Sequence, residues 1–436
     1  MQSSLELAGK RVTVAGLGRF GGGVAVARWL VQQGAKVLVT DKAQAATLAD
    51  SVEQLRGLPV AFRLGGHDLA DFTETDLLVV NPAIPPSEPL IAAAKNAGVP
   101  LTTEMCLFAE RCPAYFTFGV TGTKGKSTTS TMLGLMLGTG ASGARRVWFG
   151  GNIGVSLLAN LHEIRAEDLV VLELSSYMLH YLGEVRFSPH VAVVTFIGTD
   201  HIEWHGSRES YWEAKKNITR FQGPEDVAVV SANNLPSRSF GDLTPGRVLT
   251  YDLDDHPFDL AIPGRHNQLN AEAAYVAASL IGVSRQHAQA AVSGFRGLPH
   301  RLELVHEAAG VRWFNDSIAT IPEAAMAAHN AFEPGTVIQI VGGYDKHLDM
   351  AAMCKHLGEQ AKAVLTIGQL GPTLAEAAGP RATFLGDLKS AVDRARELAA
   401  PGDVVLMSPG CASYDQFNNF QERGELFAKL ARTLPE

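Results

Sequence analysis

Residues 118–129 read Phe-Gly-Val-Thr-Gly-Thr-Lys-Gly-Lys-Ser-Thr-Thr and have the composition of a phosphate-binding loop. Glycines let backbone N–H groups turn toward phosphate oxygens, Lys126 can reach the β- and γ-phosphates, and the Ser127 hydroxyl can bind Mg²⁺. An apolar run precedes the loop and a helical pattern follows it, which would place the phosphates at a helix N-terminus. The spacing departs from the common motif, which has glycine where this chain has Val120. A strand-to-helix turn without a ligand is the alternative.

A second glycine-rich loop follows the apolar residues 12–15. Gly16, Gly18 and Gly21 have G-x-G-x-x-G spacing, and a second apolar strand pattern ends at Asp41. Alone, this arrangement is typical of dinucleotide binding and favours an NAD-dependent oxidoreductase. The glycines require only an anionic ligand at a helix N-terminus, however, and the pyrophosphate and ribose of UDP also meet that requirement. Because the chain carries a separate loop of the ATP type, we favour a phosphorylated substrate and keep NAD as the alternative.

Two further segments place metal-binding side chains after apolar strands. Glu173 ends the strand pattern of residues 168–173, where its carboxylate could bind Mg²⁺ or, alternatively, cap the next turn. His201, in Thr-Asp-His-Ile-Glu-Trp-His-Gly, could hold a second cation or bond to a backbone carbonyl. His205 in the same segment has the character of a structural turn residue.

Other polar residues are weaker candidates when taken singly. Residues 211–218 predict a helix whose Lys216 faces solvent, and Asn267 and Asn270 share one face of an alanine-rich helix, where they could bind a purine or cap the helix. Polar loops follow apolar strand patterns near residues 315–317, 342–346 and 408–413. Because such loops meet at the carboxyl edge of a parallel sheet, the three together predict a pocket.

Composition restricts the class of protein. The chain has 436 residues, 46% hydrophobic and 19% charged, with a net charge of −8 and no basic run, so we do not expect nucleic-acid binding. Its four cysteines lack metal-site spacing and indicate reduced thiols. The N-terminus does not resemble a signal peptide, and no apolar run reaches about eighteen residues. We therefore expect a cytoplasmic protein without membrane insertion.

Alternating apolar runs and helical patterns predict an α/β fold with mainly parallel sheets in three domains. We expect an amino-terminal Rossmann-like domain over residues 1–104, a central P-loop ATPase-like domain over 105–299 and a carboxy-terminal Rossmann-like domain over 300–436. The stretch 233–263 is rich in Pro, Gly and Asp and is interpreted as a surface excursion.

Together these motifs resemble the Mur ligases over nearly the whole chain and in the right order. The phosphate loop, Glu173, Asp200-His201 and the helix lysine are also shared with folylpolyglutamate synthases. Ser-Pro-Gly-Cys-Ala-Ser at 408–413 and Phe-Gln-Glu-Arg-Gly at 420–424, with the short amino-terminal domain, resemble the glutamate-adding branch. The resemblance implies an ADP-forming acid–amino-acid ligase of peptidoglycan synthesis, which acts on UDP-N-acetylmuramoyl-L-alanine, glutamate and ATP through an acyl phosphate. We also expect a monomer.

The resemblance also implies the role of each residue. Lys126, Glu173, His201 and Lys215 would be catalytic, and two Mg²⁺ ions would be held by Ser127, Glu173, His201 and a carbamate on Lys215. ATP would contact Gly122, Thr123, Lys124, Gly125, Lys126, Ser127, Thr128, Asn267, Asn270, Arg301 and Asp316. The UDP substrate would contact Gly16, Gly18, Gly21, Asp41, Lys42, Asn81, Pro82, Ala83 and Asn152. Glutamate would contact Thr320, Lys346, Ser413 and Phe420.

Two positions depart from the family pattern. Lys124 stands where the loop most often has Asn, and Ile318 stands where the glutamate-adding enzymes usually have Lys. The second change removes a cation near the expected acceptor, so the choice between D- and L-glutamate stays open, with D-glutamate favoured. A folylpolyglutamate synthase-like ligase, an NAD-dependent oxidoreductase and a nucleotide-binding regulator without turnover are the alternatives.

Overall fold

The computed structural model describes residues 6–18, 21–140, 146–153 and 156–433. Within these residues the strands form three sheets, of five, six and six strands. The chain divides into two compact units, one comprising Met1–Asp255 with Leu269–Ala291 and the other His256–Gln268 with Val292–Glu436. The first two sheets belong to the first unit and the third sheet to the second unit.

The first sheet is parallel, with strand order β3-β2-β1-β4-β5. Its strands are β1 (Arg11–Ala15), β2 (Lys36–Asp41), β3 (Val60–Leu64), β4 (Leu77–Val80) and β5 (Leu101–Thr102). The accompanying helices are α1 (Gly22–Gln32), α2 (Ala49–Glu53), α3 (Leu69–Thr73), α4 (Pro89–Asn96) and α5 (Glu104–Ala109). All four residues of β4 are buried, as expected for an apolar strand covered on both faces.

The second sheet is also parallel, in the order β11-β10-β9-β6-β8-β7. Its strands are β6 (Phe116–Thr121), β7 (Val147–Gly151), β8 (Leu169–Glu173), β9 (Val191–Val194), β10 (Val227–Ser231) and β11 (Arg247–Tyr251). Helices of this part of the chain are α6 (Lys126–Leu137), α7 (Ser176–Glu184), α8 (Ile202–His205), α9 (Arg208–Arg220), α10 (Leu235–Arg238), α11 (Arg265–Ser279) and α12 (Arg285–Val292). Because β6 and β8 are adjacent, the loops that follow them emerge side by side at the carboxyl edge.

The third sheet has the order β12-β13-β17-β14-β15-β16, and only its β12–β13 pair is antiparallel. Its strands are β12 (Glu303–Ala308), β13 (Val311–Asn315), β14 (Val337–Gly342), β15 (Ala363–Ile367), β16 (Ala382–Gly386) and β17 (Val404–Met407). The helices are α13 (Pro322–His329), α14 (Ala351–Gln360), α15 (Gly371–Ala378), α16 (Leu388–Leu398) and α17 (Phe420–Arg432). The loops after β13, β14 and β17 therefore lie at one edge, as predicted.

The interpretation of residues 233–263 as a surface excursion was wrong in part. Residues 247–251 form β11, which pairs in parallel with β10, and residues 235–238 form α10. As an edge strand, β11 keeps most of its side chains at the surface, so its sequence lacks the apolar run that marks an interior strand.

The predicted α/β class, with mainly parallel sheets in three domains, is confirmed. The boundaries after residues 104 and 299 stay predictions. No helix in the described part of the chain is both long enough and apolar enough to span a bilayer.

Candidate active site

The predicted phosphate loop lies between β6 and α6. Gly125 adopts φ +88° immediately before the helix, a conformation that favours glycine. A Cβ atom at residue 122 would lie 1.9 Å from the Thr195 hydroxyl oxygen, so glycine is needed there for close packing. The Lys126 amine donates to the carbonyl oxygens of Gly122 at 2.9 Å and Thr123 at 3.3 Å. Its charge is therefore held over the loop in which phosphates would bind.

Two neighbouring elements hold this loop in shape. The Thr195 hydroxyl, after β9, lies within hydrogen-bond distance of the Thr121 and Lys124 carbonyl oxygens, at 3.0 and 2.7 Å, and its one hydrogen is shared between them. The Thr123 hydroxyl lies 2.8 Å from the Tyr211 hydroxyl of α9 and accepts the Gly198 N–H at 2.8 Å. The loop is thus braced from β9 and α9, whereas the Lys124 side chain is exposed.

Lys215 is buried against the same loop. Its side chain, on α9, is 1% exposed, and its amine donates to the Thr121 hydroxyl at 3.2 Å and the Gly122 carbonyl at 3.0 Å. Burial, reinforced by the charge of Lys126, lowers the pKa of Lys215 well below its usual value. Lys216 instead lies 2.7 Å from the Glu213 carboxylate, and 23% of its side chain is exposed.

Glu173 ends β8 and is completely buried. One carboxylate oxygen, Oε1, accepts a hydrogen bond from the Asn152 side-chain amide at 2.8 Å. The other, Oε2, is buried and has no hydrogen-bond partner among the described residues. A buried carboxylate oxygen in this state is costly unless a donor or a cation reaches it.

His201 precedes α8 with φ +51° and a half-exposed ring. Its ring nitrogens lie 3.6 Å from the Asp200 carboxylate and 3.7 Å from that of Glu203. The Tyr177 ring packs against it with centroids 4.9 Å apart. His205 instead bonds to the Ser176 hydroxyl at 3.0 Å, and burial lowers its pKa to about 4, consistent with the predicted structural role.

A cavity of about 560 Å³ lies within the first unit, between the glycine-rich loop of the first sheet and loops of the second. Six residues of the predicted UDP-substrate set line it: Gly16, Gly18, Asn81, Pro82, Ala83 and Asn152. A Cβ atom at residue 16, where φ is +89°, would lie 2.8 Å from the Asn81 Cβ, so glycine keeps this wall open.

The other three residues predicted for the UDP substrate do not line the cavity. Gly21 caps α1 with φ +87°, and Lys42 pairs with Glu88 at 3.1 Å. The Asp41 carboxylate accepts the Gly18 N–H at 3.1 Å. Asp41 therefore holds the glycine-rich loop.

Residues predicted to bind glutamate lie on loops at the carboxyl edge of the third sheet. Ser413 follows β17 and is buried, Thr320 follows β13 and is half-buried, and Lys346 follows β14 and is exposed. Phe420 begins α17, and its carbonyl accepts the Ser317 hydroxyl at 2.7 Å. This edge thus carries an exposed lysine together with a half-buried and a buried hydroxyl group.

Asp316 lies deeper at this edge and is 5% exposed. Its carboxylate accepts the Ser408 hydroxyl at 2.6 Å and the Leu302 N–H at 3.1 Å. Burial nevertheless raises the pKa of Asp316 to about 7, although the charge of Arg301 acts in the opposite direction.

The two predicted asparagines of α11 have different partners. Asn270 accepts the Thr129 hydroxyl of α6 at 3.3 Å, which brings it to the helix of the phosphate loop. Asn267 donates to the Pro263 carbonyl at 2.6 Å, which links the first turn of α11 to the residues that precede it.

Comparison with known proteins matches three segments of the chain to family domains. These are the Mur ligase MurD-like N-terminal domain over residues 10–103, the Mur ligase middle domain over 120–257 and the Mur ligase glutamate ligase domain over 300–411. A UDP-N-acetylmuramoylalanine–D-glutamate ligase of Roseiflexus sp. (strain RS-1) is 39% identical over 98% of this chain and 100% of its own length. The chain belongs to the Mur ligase family.

A second relative of the same name, from Anaeromyxobacter dehalogenans (strain 2CP-C), is 39% identical over 98% of each chain. Among solved structures, a MurF ligase from Thermotoga maritima in complex with ADP has a TM-score of 0.58 at 19% identity, covering 99% of this chain and 97% of its own. E. coli FolC in complex with ADP has a TM-score of 0.53 at 21% identity, covering 76% and 93%. These two likenesses are evidence for the fold only.

Several residues of this Mur ligase contribute to the site but were missed by the sequence analysis. Thr195 holds two loop carbonyls, and Tyr177 lines the cavity beside His201. Glu104 and Ser156 line the same cavity and bond to each other. Thr195 directly follows a buried strand, which is a signal that could have identified it; Glu104 and Ser156 are 52 residues apart and have no common sequence motif.

Proposed function

We propose that this Mur ligase joins D-glutamate to the carboxylate of UDP-N-acetylmuramoyl-L-alanine, with conversion of ATP to ADP and phosphate. The observation that carries the proposal is the hydrogen bond from Asn152 to Glu173. Asn152 lines the cavity predicted for the UDP substrate, and Glu173 ends the strand beside the phosphate loop. A carboxylate held in the cavity would therefore lie next to the γ-phosphate of ATP.

The reaction follows from this neighbourhood. The substrate carboxylate attacks the γ-phosphate in line, ADP leaves, and an acyl phosphate forms. Lys126 stabilises the charge that develops on the transferred phosphoryl group. The neutral amine of glutamate then attacks the acyl carbon, phosphate leaves and the amine loses a proton, so that an amide bond is formed.

The side chains around the phosphate loop suit a divalent cation. Glu173 has a buried oxygen without a hydrogen-bond partner among the described residues, and the Ser127 hydroxyl lies at the first turn of α6. We propose that these residues hold one Mg²⁺ and that His201 and a carbamate on Lys215 hold a second. Bound Mg²⁺ would neutralise charge on the phosphate oxygens. In the described ranges, no group of three or more His, Cys, Asp or Glu is placed to hold a metal ion by itself.

The environment of Lys215 favours the carbamate chemically. A neutral amine adds to CO₂, whereas an ammonium does not, and the lowered pKa of Lys215 favours the neutral form. The addition forms an N–C bond and releases a proton, which leaves a carboxylate-like group that can bind Mg²⁺.

The proposed enzyme has three domains, over residues 1–104, 105–299 and 300–436. Its proposed contacts with ATP and glutamate are those that the sequence indicates. Asn267, Asn270, Arg301 and Asp316 would hold the nucleotide of ATP, and Thr320, Lys346, Ser413 and Phe420 would hold glutamate. The D configuration rests on the names of the relatives, because Ile318 removes the cation expected near the acceptor.

One assay tests the proposal. Purified chain is mixed with ATP, Mg²⁺, UDP-N-acetylmuramoyl-L-alanine and one of D-glutamate, L-glutamate, aspartate, lysine or glycine, and phosphate and the coupled product are measured. We expect product with D-glutamate and much less with the others. A preference for lysine or glycine would contradict the acceptor, and absence of phosphate release with every amino acid would contradict the ligase activity.

A further inference from the structure

Arg423 is a buried cation that the reaction described above does not use. It lies on α17 and is 0% exposed. Among the described residues it forms no ion pair, unlike Arg285, which pairs with Glu272 at 2.6 Å. Burial lowers the pKa of Arg423 to about 10, so the guanidinium is still charged at neutral pH. A buried charge without a counterion is unfavourable, which indicates a role beyond packing.

The guanidinium ties together segments that come from different parts of the chain. Its Nε donates to the Ser317 hydroxyl at 3.0 Å and one Nη to the Ser317 carbonyl at 3.0 Å. The same Nη donates to the Cys411 carbonyl at 3.1 Å, and the other Nη donates to the Ala412 carbonyl at 3.3 Å. Ser317 also bonds to the first residue of α17, since its hydroxyl donates to the Phe420 carbonyl at 2.7 Å.

A fourth segment joins through the same carbonyl. The Tyr344 N–H donates to the Ala412 carbonyl at 2.9 Å. At residue 343 a Cβ atom would lie 2.1 Å from that carbonyl oxygen and 3.2 Å from the guanidinium, so glycine permits this approach. This hydrogen bond fixes the position of the loop that carries Lys346 relative to the loop that carries Ser413.

These contacts also orient a backbone donor. In a planar trans peptide the C=O and N–H groups point in opposite directions. Because the Ala412 carbonyl faces Arg423 and Tyr344, the N–H of Ser413 faces away from them. A buried cation and an oriented N–H group both favour an anionic ligand at this edge.

We propose that Arg423 is a positioning residue for the acceptor amino acid, holding the loops of Thr320, Ser413, Phe420 and Lys346 in register and supplying positive charge that Ile318 does not. This inference rests on the proposed function. Arg423 therefore contributes to the affinity of the enzyme for an acceptor with two carboxylates. Formation of the acyl phosphate precedes acceptor attack and does not depend on Arg423.

The test compares Arg423→Lys, which keeps the charge but loses the fork of donors, with Arg423→Gln, which loses the charge. Ser317→Ala removes the hydroxyl that joins Arg423 to Phe420. Arg432→Lys is the matched control, because Arg432 lies on the same helix and donates to the Val305 carbonyl at 3.2 Å. The KM values for D-glutamate, ATP and the UDP substrate are measured, and the acyl phosphate is trapped with hydroxylamine without glutamate.

We expect Arg423→Gln to raise the glutamate KM roughly 10- to 100-fold, and Arg423→Lys and Ser317→Ala to raise it about 3- to 10-fold. Acyl phosphate formation and the other two KM values should stay within about threefold, a pattern that a general loss of packing would not produce. If Arg423→Gln does not fold, the Ser317→Ala result decides.

A glutamate KM within about twofold of wild type in the folded variants would overturn the role of Arg423, as would an equal rise in all three KM values. If wild-type enzyme itself forms acyl phosphate but does not use glutamate, the proposed acceptor is wrong and this inference fails with it. That result is distinct, because it appears in the unmodified chain.

Discussion

The Lys215 amine donates a hydrogen bond to the Gly122 carbonyl at 3.0 Å, and this contact joins helix α9 to the phosphate loop. The Lys126 amine donates to the same carbonyl oxygen at 2.9 Å. Two lysine amines therefore converge on one carbonyl oxygen of the phosphate loop. Burial of Lys215, reinforced by the neighbouring charge of Lys126, lowers the pKa of Lys215 well below its usual value.

Lys215→Ala should reduce turnover by more than roughly 100-fold, because it removes a proposed metal ligand. Short carboxylates such as formate or acetate should restore part of the activity by occupying the vacated position. The measurement is phosphate release with and without the added acid, with Lys216→Ala as the neighbouring control, expected near wild type. Full activity of unsupplemented Lys215→Ala would contradict the carbamate.

Lys126→Ala should slow turnover on the order of 10²- to 10³-fold, since the charge that stabilises the transferred phosphoryl group is lost. The fold should persist, because Lys126 bonds to carbonyls of its own loop. Phosphate release is measured beside the thermal midpoint of unfolding. A folded variant with near-normal release would remove the assignment of residues 118–129 as a catalytic phosphate loop.

Gly16→Ala should raise the KM for the UDP substrate at least about 10-fold while the KM for ATP is unchanged. The added methyl group would press on Asn81 in the cavity wall. Gly57→Ala is the matched control, because Gly57 also has positive φ, +81°, but has no atom near its Cβ position. The thermal midpoint of unfolding of Gly57→Ala should fall, while its KM values for the UDP substrate and for ATP stay unchanged.

Binding to the unmodified chain completes this test. Titration with the UDP substrate and with NAD should show binding of the first only. Tighter binding of NAD would revive the oxidoreductase alternative.

The stability of the protein should fall as pH rises from about 5 to 7 because of Asp316. Its pKa is raised from 3.8 to about 7, so the folded state holds a proton that the unfolded chain has already lost. In that pH window the contribution of Asp316 to the free energy of unfolding falls by about 1.4 kcal/mol per pH unit, until the carboxyl group loses its proton in the folded state. The thermal midpoints of unfolding of wild type and Asp316→Asn are measured at several pH values, and their difference reports the contribution of Asp316.

Ser408→Ala provides a second measurement on the same carboxyl. The Ser408 hydroxyl stabilises the charged form, so its removal should move the upper end of the window to higher pH. Parallel pH profiles of wild type and Asp316→Asn would contradict the raised pKa.

Lys346→Ala should raise the glutamate KM by roughly 10- to 150-fold, because a charge-assisted bond to a carboxylate is lost. The KM for ATP should change far less. Lys355→Ala, an exposed lysine on α14, serves as the control. Equal glutamate KM values in the two variants would exclude Lys346 as an acceptor contact.

Local sequence patterns were sufficient to predict most of the fold. Buried parallel strands such as β4 and β8 are short apolar runs, and the glycine-rich loops follow strands because close approach and positive φ require glycine there. The Gly-Lys-Ser motif predicted an ATP-type loop, because its glycine, lysine and serine must stand at a fixed spacing to contact phosphate and Mg²⁺. Edge strand β11 was missed, since its exposed side chains give no apolar run.

What local spacing could not decide is which distant residues share one environment. The burial of Lys215, the bond between Asn152 and Glu173 across 21 residues, and the contact of Arg423 with Ser317 across 106 residues arise only when strands and helices pack. Desolvation and hydrogen bonding depend on three-dimensional neighbours. Among the described residues they determine which lysine has a lowered pKa, which buried carboxylate oxygen lacks a hydrogen-bond partner and which arginine bonds to the loops. The sequence by itself determined the residue types and the order of the elements, and the tertiary structure decided their chemical states.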